Sequence, residues 1–379
     1  MRIGMFANAY LPVINGVVRS IMLYRKGLLD DCHFVGVFVP DARNYEDDEP
    51  FIFRYPAIPL PTQLNYSFPV VTAPHITWMV PRLKLDIIHA HHPIIVGVEA
   101  RRFSEELDIP LVFTFHTMYH EYTHYFLGMD NELVKQIVRR IVRDYANRAD
   151  YIIAPSPAVV DLLPSYGIQK PVEILPTPVD LEQFTPREKS LLSHPDRIRL
   201  IYVGRVAKEK NLAFLLRVFK RVAVKDERIE LKIVGGGPSL EDLKALARKL
   251  AIAHKVSFTD MVPFSEVVDE LNQADLFVFS STTETQGLVV LEAMAAGLPL
   301  VLVESKALLY FVNPGKDCIV VREDEEEMAN TILSLVHDPH RLRAMGRAAR
   351  QNAERYSIPA LTSKLLDVYQ NAIDMHFAG

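Results

Sequence analysis

The chain is poor in cysteine, in positive charge and in long apolar runs, and each shortage excludes a class of protein. Its 379 residues include two cysteines, Cys32 and Cys318, which excludes a disulfide framework and indicates a reducing compartment. The formal net charge of −5 argues against a general nucleic-acid binder, which would be basic. No apolar run reaches the roughly 20 residues that a membrane span needs. The opening residues Met1–Phe6 predict a strand and not a signal peptide, so we expect a cytoplasmic protein.

Two glycine-rich phosphate motifs are also absent. No G-x-G-x-x-G follows a predicted strand, which excludes the dinucleotide fingerprint, and no P-loop occurs. What is present is an ordinary globular composition, with 49% hydrophobic and 23% charged residues. Because one hydrophobic core rarely serves a chain of this length, two domains are expected.

The most informative stretch is residues 280–297. The apolar run before it, residues 275–280, is rich in aromatic and β-branched residues and predicts a buried strand. After a polar loop, residues 288–296 predict a helix that Gly297 caps and Pro299 prevents from continuing. This order places unpaired backbone N–H groups at a helix N-terminus, which is an anion site well suited to phosphate.

Two glutamates flank that predicted site, Glu284 in the loop and Glu292 in the helix. Carboxylates do not bind phosphate, but they accept hydrogen bonds from hydroxyl groups such as those of a sugar and a ribose. The stretch therefore indicates a sugar–diphosphate site. The structural alternative is a buried strand and helix with two surface glutamates, because two glutamates eight residues apart are a weak pattern alone.

Together, Glu284, the glycine three residues later, the apolar run and Glu292 resemble the motif of the retaining GT-B glycosyltransferases of family 4. The resemblance covers most of the chain. It implies an α/β fold of two Rossmann-like domains that face a cleft. The implied domains are an acceptor-side domain at residues 1–184, onto which a last helix at about 358–379 packs, and a nucleotide-sugar domain at residues 185–357.

The same resemblance implies roles for residues outside the stretch. Arg205 and Lys210 match a Gly-Arg, four residues, Lys-Asn pattern and would neutralise the donor diphosphate, although from the residues alone they could be ordinary surface charges. His116, at the end of a predicted strand, would reach the transferred sugar. Gly16 would lie beside the diphosphate, although spacing alone favours a plain tight turn. The remaining implied donor-binding residues are Met261, Thr285, Gln286, Gly287, Leu288, Val289 and Glu292.

Metal sites are considered at three places and expected at none. His120 and His124 fit the H-E-x-x-H pattern of zinc hydrolases, but the pattern needs a helix and a third ligand, and this copy starts just after a buried strand and is crowded by tyrosines. The histidines at 89, 91 and 92 favour polar contacts at a strand end. The acidic run at residues 46–49 favours a solvated loop. A zinc hydrolase is the alternative from another class of enzyme.

Residues 131–145 predict an amphipathic helix with a basic face. Its apolar stripe comprises Leu133, Val134, Ile137, Val138, Ile141, Val142 and Tyr145, and its cations are Lys135, Arg139, Arg140 and Arg143. We favour a stripe packed into the core with a solvated basic face. The alternative is peripheral contact with anionic lipid at the inner face of a membrane.

The resemblance implies transfer of a hexose from a nucleotide diphosphate sugar with retention at the anomeric carbon. Glucose from UDP-glucose is favoured as the donor sugar, a glycolipid or a polysaccharide precursor as the acceptor, and GDP-mannose as the alternative donor. No covalent nucleophile is evident, which favours front-side attack without metal or cofactor. In that mechanism Arg205, Lys210 and the N–H groups of Leu288 and Val289 stabilise the leaving diphosphate. A nucleotide-sugar-binding protein without catalysis is a further alternative.

Overall fold

The computed structural model describes residues 1–59, 67–116, 131–186 and 197–378. The chain divides into two compact units. The first comprises Met1–Pro178 together with Ile358–Gly379, and the second comprises Val179–Ser357. The first unit therefore ends at Pro178, whereas the sequence places the end of the first domain at residue 184.

The first unit is built on a parallel sheet. Within the described residues the strand order is β3-β2-β1-β6-β7-β8-β9, and every neighbouring pair is parallel. Two short strands form a separate antiparallel pair. The elements are β1 Arg2–Phe6, α1 Gly16–Asp30, β2 Phe34–Pro40, β3 Ile52–Tyr55, β4 Ala57–Pro59, β5 Ser67–Pro69, α2 Pro74–Leu83, β6 Ile87–Ala90, α3 Val96–Leu107, β7 Leu111–Thr114, α4 Glu132–Ala146, β8 Tyr151–Ala154, α5 Pro157–Tyr166 and β9 Val172–Ile174.

The second unit repeats this architecture. Its described strands are parallel in the order β12-β11-β10-β13-β14-β15. Its elements are β10 Ile198–Val203, α6 Leu212–Lys225, β11 Ile229–Val234, α7 Leu240–Lys249, β12 Val256–Thr259, α8 Phe264–Gln273, β13 Leu276–Phe279, α9 Leu288–Ala295, β14 Leu300–Val303, α10 Lys306–Leu309, β15 Cys318–Val321, α11 Glu325–Val336 and α12 Pro339–Ala353. The chain ends in α13, Ile358–Ala378, which belongs to the first unit.

The expected fold class, two Rossmann-like α/β domains, is confirmed. The central strands are buried along their whole length, as strands are when helices cover both faces of a parallel sheet. In the first sheet the strand order reverses between β1 and β6, and in the second between β10 and β13. Ligands of open α/β sheets bind beyond the carboxyl ends of the strands at such a reversal. A ligand site is therefore expected beyond β1 and β6 in the first unit and beyond β10 and β13 in the second.

Helix α4 packs into the core through its C-terminal end. Val142 and Tyr145 are buried, and the Tyr145 hydroxyl donates a hydrogen bond to the carbonyl of Gly97 at 2.9 Å. Toward the N-terminus the packing is different, because three large apolar side chains that follow one another at four-residue intervals are exposed: Leu133, Ile137 and Ile141. The expectation that the whole stripe is core-packed is wrong for these three residues. No helix in the described part of the chain has the length and apolarity to cross a membrane.

The acidic run at residues 46–49 is not a purely solvated loop, which corrects the sequence expectation. Asp47 accepts two hydrogen bonds from the guanidinium group of Arg54, each at 2.7 Å. The same guanidinium donates to the carbonyls of Pro40 at 2.7 Å and Leu11 at 2.8 Å. Glu49 pairs with the buried Arg25. Each of these two carboxylates thus has a cation partner, whereas Glu46, Asp48 and Glu49 are exposed, as expected for a solvated loop.

Helix α9 is short, and a side chain from α12 holds its far end. The helix ends at Ala295, one residue before the predicted end, and Gly297 follows with a φ of +71°, in the left-handed region that favours glycine. Arg350 of α12 donates hydrogen bonds to the carbonyls of Leu181, Phe184 and Ala295. One guanidinium thus joins the C-terminal end of α9 to the segment with which the second unit begins.

Candidate active site

The strongest candidate site lies at the strand reversal of the second sheet. Residues 204–210 follow β10 and residues 280–287 follow β13, and these two strands are neighbours. The polar loops that the sequence singled out therefore leave the same edge of the sheet. This adjacency places Arg205 and Lys210 on one side of the reversal and Glu284 on the other.

Lys210 and Glu284 form an ion pair. The Nζ atom of Lys210 lies 2.6 Å from Oε1 of Glu284, and both side chains are largely buried. The hydroxyl of Ser280 donates to the carbonyl of Lys210 at 2.9 Å and so fixes the backbone that carries the amine. Two residues that are 74 positions apart in the chain therefore lie in direct contact. Because an ammonium group is shielded from water here, its charge acts strongly on a bound anion.

Arg205 is held by a carboxylate that the sequence reasoning missed. Its guanidinium pairs with Glu209, and its carbonyl accepts a hydrogen bond from the Tyr202 hydroxyl at 3.1 Å. Burial raises the pKa of Tyr202 well above its usual value, and the Glu284 carboxylate raises it further, so the phenol keeps its proton. The sequence did contain an indication of this pair, because Arg205 and Glu209 are four residues apart, a spacing at which opposite charges often pair.

The start of α9 confirms the predicted strand, loop and helix. Gly287 precedes the helix with a φ of +77°, and a Cβ atom there would lie 2.4 Å from Cδ2 of Leu308, so the position requires glycine. Leu288 and Val289 are the first helical residues, and their N–H groups have no partner within the helix. The positive end of the helix dipole adds to the attraction for an anion. Thr285 and Gln286 precede Gly287 in the loop and are partly and almost fully buried respectively.

Glu292 lies on α9 with 1% of its surface exposed. If its carboxylate binds the ribose, Glu292→Gln should weaken UDP binding about tenfold or more, since a hydrogen bond to a charged group contributes roughly 1.5–3 kcal/mol. Isothermal calorimetry with UDP measures this, and thermal melting of the variant shows whether the buried position tolerates the change. An unchanged UDP affinity in a folded variant would count against the ribose role.

Met261 follows β12 and is among the most exposed apolar residues in the described chain. The side chain of Asp260 accepts a hydrogen bond from the Met261 N–H at 2.7 Å. Gly236, in the turn after β11, packs against both residues, because a Cβ atom there would lie 2.3 Å from Oδ1 of Asp260. The segment that carries Met261 is therefore held by the Asp260 side chain and by the neighbouring turn, and the donor-binding role of Met261 stays a prediction.

In the first unit, Gly16 is the first residue of α1, at the end of the loop that follows β1. The Asn15 side chain caps the helix by accepting a hydrogen bond from the N–H of Val18 at 3.0 Å. A Cβ atom on Gly16 would meet nothing within 4 Å, so the space beside it is open. The geometry leaves room for a ligand near this turn without identifying one.

His116 lies two residues beyond β7 and is half-buried. Its Nε2 atom forms a hydrogen bond with Nδ1 of His91 at 2.9 Å, a partner that the sequence reasoning did not assign. His89, in β6, contacts the hydroxyls of Thr114 and Tyr369. The expectation of polar contacts at this strand end is therefore confirmed. His116 and Gly16 belong to the first unit, and all other predicted site residues belong to the second.

The described residues contain no group of three or more histidine, cysteine, aspartate or glutamate side chains that could hold a metal ion. The H-E-x-x-H segment, with His120 and His124, lies outside the described residues. The zinc alternative therefore remains an open hypothesis for that segment.

Comparison with known proteins agrees with the fold and identifies the family. Residues 14–183 match the family model described as glycosyltransferase family 4, and residues 184–352 match that of glycosyl transferases group 1. An alpha-monoglucosyldiacylglycerol synthase of Streptococcus pneumoniae is 33% identical over 79% of this chain and 70% of its own length. The synthase of the same name from Acholeplasma laidlawii is 27% identical over 99% of this chain and 98% of its own length.

A solved structure supports the fold independently. The crystal structure of Anabaena HepE in complex with UDP-glucose superposes with a TM-score of 0.73 over 97% of this chain and 99% of that chain, at 18% identity. At this identity the likeness concerns the fold alone, whereas the family matches and the Streptococcus relative concern the sequence. The chain accordingly belongs to the family 4 glycosyltransferases of GT-B fold and is a hexosyltransferase.

Proposed function

We propose that the protein transfers glucose from UDP-glucose to a glycolipid or polysaccharide-precursor acceptor, with retention at the anomeric carbon and without a metal ion. The observation that carries this proposal is the Lys210–Glu284 ion pair, which joins two neighbouring loops at the strand reversal, with Arg205 in the same loop as Lys210. The ion pair supplies a cation, Lys210, for a diphosphate and, beside it, a carboxylate, Glu284, for sugar hydroxyls.

The proposed chemistry depends on stabilising the diphosphate as its bond to the sugar breaks. Lys210 and Arg205 would supply two positive charges, and the N–H groups of Leu288 and Val289 would donate hydrogen bonds. Two cations and a helix N-terminus provide the charge that a divalent metal supplies elsewhere, which is our reason for proposing metal-independent transfer.

We assign Glu284 to the sugar hydroxyls and not to covalent catalysis, because Lys210 already holds its carboxylate at 2.6 Å. A carboxylate bound to an ammonium group is a weak nucleophile. We therefore favour front-side attack by the acceptor hydroxyl, with the leaving phosphate accepting the proton, over a double displacement. His116 is proposed to contact the transferred sugar, and Glu292 the ribose.

The donor and the acceptor are proposed by analogy with the relatives. Two of them are named as synthases of monoglucosyldiacylglycerol, and the Anabaena structure holds UDP-glucose. GDP-mannose remains the second candidate donor, because no described side chain near Met261 selects between uracil and guanine.

One assay tests the proposal. The purified full-length chain is incubated with radiolabelled UDP-glucose or GDP-mannose, vesicles containing diacylglycerol, and EDTA, and the anomeric configuration of the lipid product is read by NMR. We expect transfer from UDP-glucose to an α-linked product in the presence of the chelator. Transfer from GDP-mannose would instead identify the protein as a mannosyltransferase that uses GDP-mannose. Abolition by EDTA with restoration by zinc would overturn the metal-independent mechanism and direct attention to His120 and His124.

We also propose that α4 contacts an anionic membrane surface, so that the protein is cytoplasmic and peripheral at the inner face. Leu133, Ile137 and Ile141 are 63%, 50% and 43% exposed and recur every four residues, which places them along one face of the helix. Arg139, Arg140 and Arg143 lie on the same helix, among its four cations. An exposed apolar row with adjacent cations is the pattern of a helix that lies in a lipid interface.

Serine at Leu133, Ile137 and Ile141 together should weaken binding to vesicles that contain phosphatidylglycerol by about tenfold or more, because each removed methylene contributes roughly 0.8 kcal/mol when buried in lipid. Vesicle sedimentation measures the binding. Val224→Ser is the control, since Val224 is an even more exposed apolar residue, at 76%, and lies on α6 in the other unit. Equal binding of the triple variant and the control would exclude α4 as the contact.

A further inference from the structure

Three histidine rings lie side by side in the first unit where β6 and β7 end. The rings of His89 and His91 are 4.1 Å apart between centroids, and those of His91 and His116 are 5.2 Å apart. His89 has a partner at each nitrogen, because Nδ1 lies 2.8 Å from the Tyr369 hydroxyl and Nε2 lies 2.6 Å from the Thr114 hydroxyl. His89 is therefore fully satisfied, and the hydroxyls leave its tautomer undetermined.

His91 differs, because only one of its nitrogens has a partner. Nδ1 of His91 lies 2.9 Å from Nε2 of His116. Nε2 of His91 is buried and makes no hydrogen bond with the described residues. The residue has 1% of its surface exposed, so bulk water does not reach this nitrogen. The imidazole ring of His91 therefore makes a single hydrogen bond with the described residues, and its partner is a predicted site residue.

Both rings of the His91–His116 pair are neutral. Burial lowers the pKa of His91 well below its usual value, and the neighbouring histidines lower it further. Burial likewise lowers the pKa of His116. A neutral imidazole carries one N–H donor and one acceptor nitrogen, so one ring of the pair must donate and the other must accept.

The unpartnered nitrogen of His91 decides the direction. If His116 donated from Nε2, the proton of His91 would lie on its Nε2, as a buried N–H group without an acceptor. If His91 donates from Nδ1, only a lone pair remains unpartnered at Nε2. Buried N–H groups without an acceptor are rare in proteins, whereas acceptors with an unused lone pair are better tolerated. The second arrangement is therefore favoured.

We infer that His91 is a positioning residue that donates its Nδ1–H to Nε2 of His116 and thereby fixes the His116 proton on Nδ1. The identity of the tautomer is set by the bond at the other nitrogen, as is general for histidine. His116 then presents an N–H donor, suited to an acceptor oxygen of a sugar hydroxyl or a phosphate. That the ligand is a nucleotide sugar rests on the proposed function, whereas the tautomer does not.

The inference excludes one role for His116. With its Nε2 lone pair bound by His91 and its Nδ1 protonated, the ring has no free lone pair with which to accept a proton from an acceptor hydroxyl. His116 therefore acts as a hydrogen-bond donor and not as a general base. This agrees with a mechanism in which the leaving phosphate takes the proton.

The tautomer can be measured without substrate. Protein labelled with ¹⁵N-histidine is examined by two-bond ¹H–¹⁵N correlation, with the His116→Gln variant used to assign the signals. We expect the His116 proton on Nδ1 in the unliganded wild-type protein. A proton on Nε2 would overturn the inference, whatever reaction the enzyme catalyses. Because this measurement is made on the wild-type protein, it does not depend on whether a variant at position 91 folds.

Variants at position 91 test the cause. His91→Leu removes the donor and should return His116 to the Nε2–H tautomer, which predominates in free histidine. His91→Asn places an amide N–H near the lost Nδ1–H and should keep the wild-type tautomer. Thr114→Val is the matched control, because it removes a buried hydrogen bond of the same cluster without touching the His91–His116 contact. Retention of the Nδ1–H tautomer in His91→Leu would overturn the positioning role.

Transfer assays give an independent readout. We expect kcat to fall about tenfold in His91→Leu and to recover in His91→Asn, with the KM for the donor little changed in both. A loss of rate that asparagine does not restore, or a loss equal to that of Thr114→Val, would indicate a purely structural role. If no donor supports transfer, the proposed function fails while the NMR result stands.

Discussion

Alanine at Lys210 should lower the kcat of sugar transfer by about 10²–10³-fold, the usual effect of removing one preorganised charge donor from a transition state. The amine lies at the strand reversal, is shielded from water and is held by Glu284 at 2.6 Å. Diphosphate leaving from the sugar gains negative charge as the bond breaks, so an ammonium group at this place acts most strongly in the transition state. The melting temperature should change far less, because neither side chain of the pair belongs to the hydrophobic core.

Lys208→Ala is the control for this experiment. Lys208 belongs to the same short 3₁₀ turn as Lys210 but is exposed. It should retain the wild-type rate, and a comparable loss in both variants would indicate a general charge effect on the turn. Near-normal transfer by Lys210→Ala would remove Lys210 from the mechanism.

Glutamine at Glu284 should separate nucleotide binding from transfer. The Glu284 carboxylate already offsets part of the Lys210 charge, so a bound diphosphate must share the three N–H donors of the ammonium group with it. Without that charge, UDP should bind up to about fivefold more tightly, the equivalent of a single ion pair. Transfer should nevertheless fall about 10²-fold, because the carboxylate that holds the sugar hydroxyls is gone. Calorimetry with UDP and steady-state kinetics with the sugar donor measure the two effects.

Glu323→Gln serves as the matched control, because Glu323 bonds the side chain of Asn211 at 2.8 Å in the same unit. It should change neither UDP affinity nor rate. Weaker UDP binding by Glu284→Gln together with a normal rate would contradict two claims: that Glu284 and the diphosphate compete for the Lys210 charge, and that Glu284 contacts the sugar.

The fold was predictable from the sequence where local chemistry decides it. The apolar run at residues 275–280, a polar loop and a small-residue helix stopped by Gly297 and Pro299 specify one strand–helix unit, and the structure contains it. The helix ends one residue earlier than predicted, which reflects the ordinary fraying of helix termini. Placement of the candidate residues at strand ends followed from the same local reading.

Contacts between distant residues were not predictable, because they depend on the order of strands in the sheet. Lys210 meets Glu284 only because β10 and β13 are neighbours, and no spacing in the sequence encodes that adjacency. The sequence likewise shows His91 and His116 without showing that their rings touch. The roles of these residues in catalysis remain predictions that the assays above address.

Periodicity and charge counts failed at two places for a related reason. The stripe that contains Leu133 and Ile137 has helical spacing, but spacing identifies a face without identifying what covers it. Asp47 in the acidic run looked solvated because its partner Arg54 lies in the next strand, so that this ion pair forms only on folding.

The bond network of Arg350 bears on the entropy of ligand binding. An eight-residue helix such as α9 has too few internal hydrogen bonds to hold its own position, and its free amides lie at the end opposite to Ala295. The guanidinium of Arg350 joins the Ala295 end of the helix to Leu181 and Phe184. Because the helix is anchored there, the amides at its other end are fixed before any anion arrives. A diphosphate that docks there would order little additional chain, and so more of its interaction energy would appear as affinity.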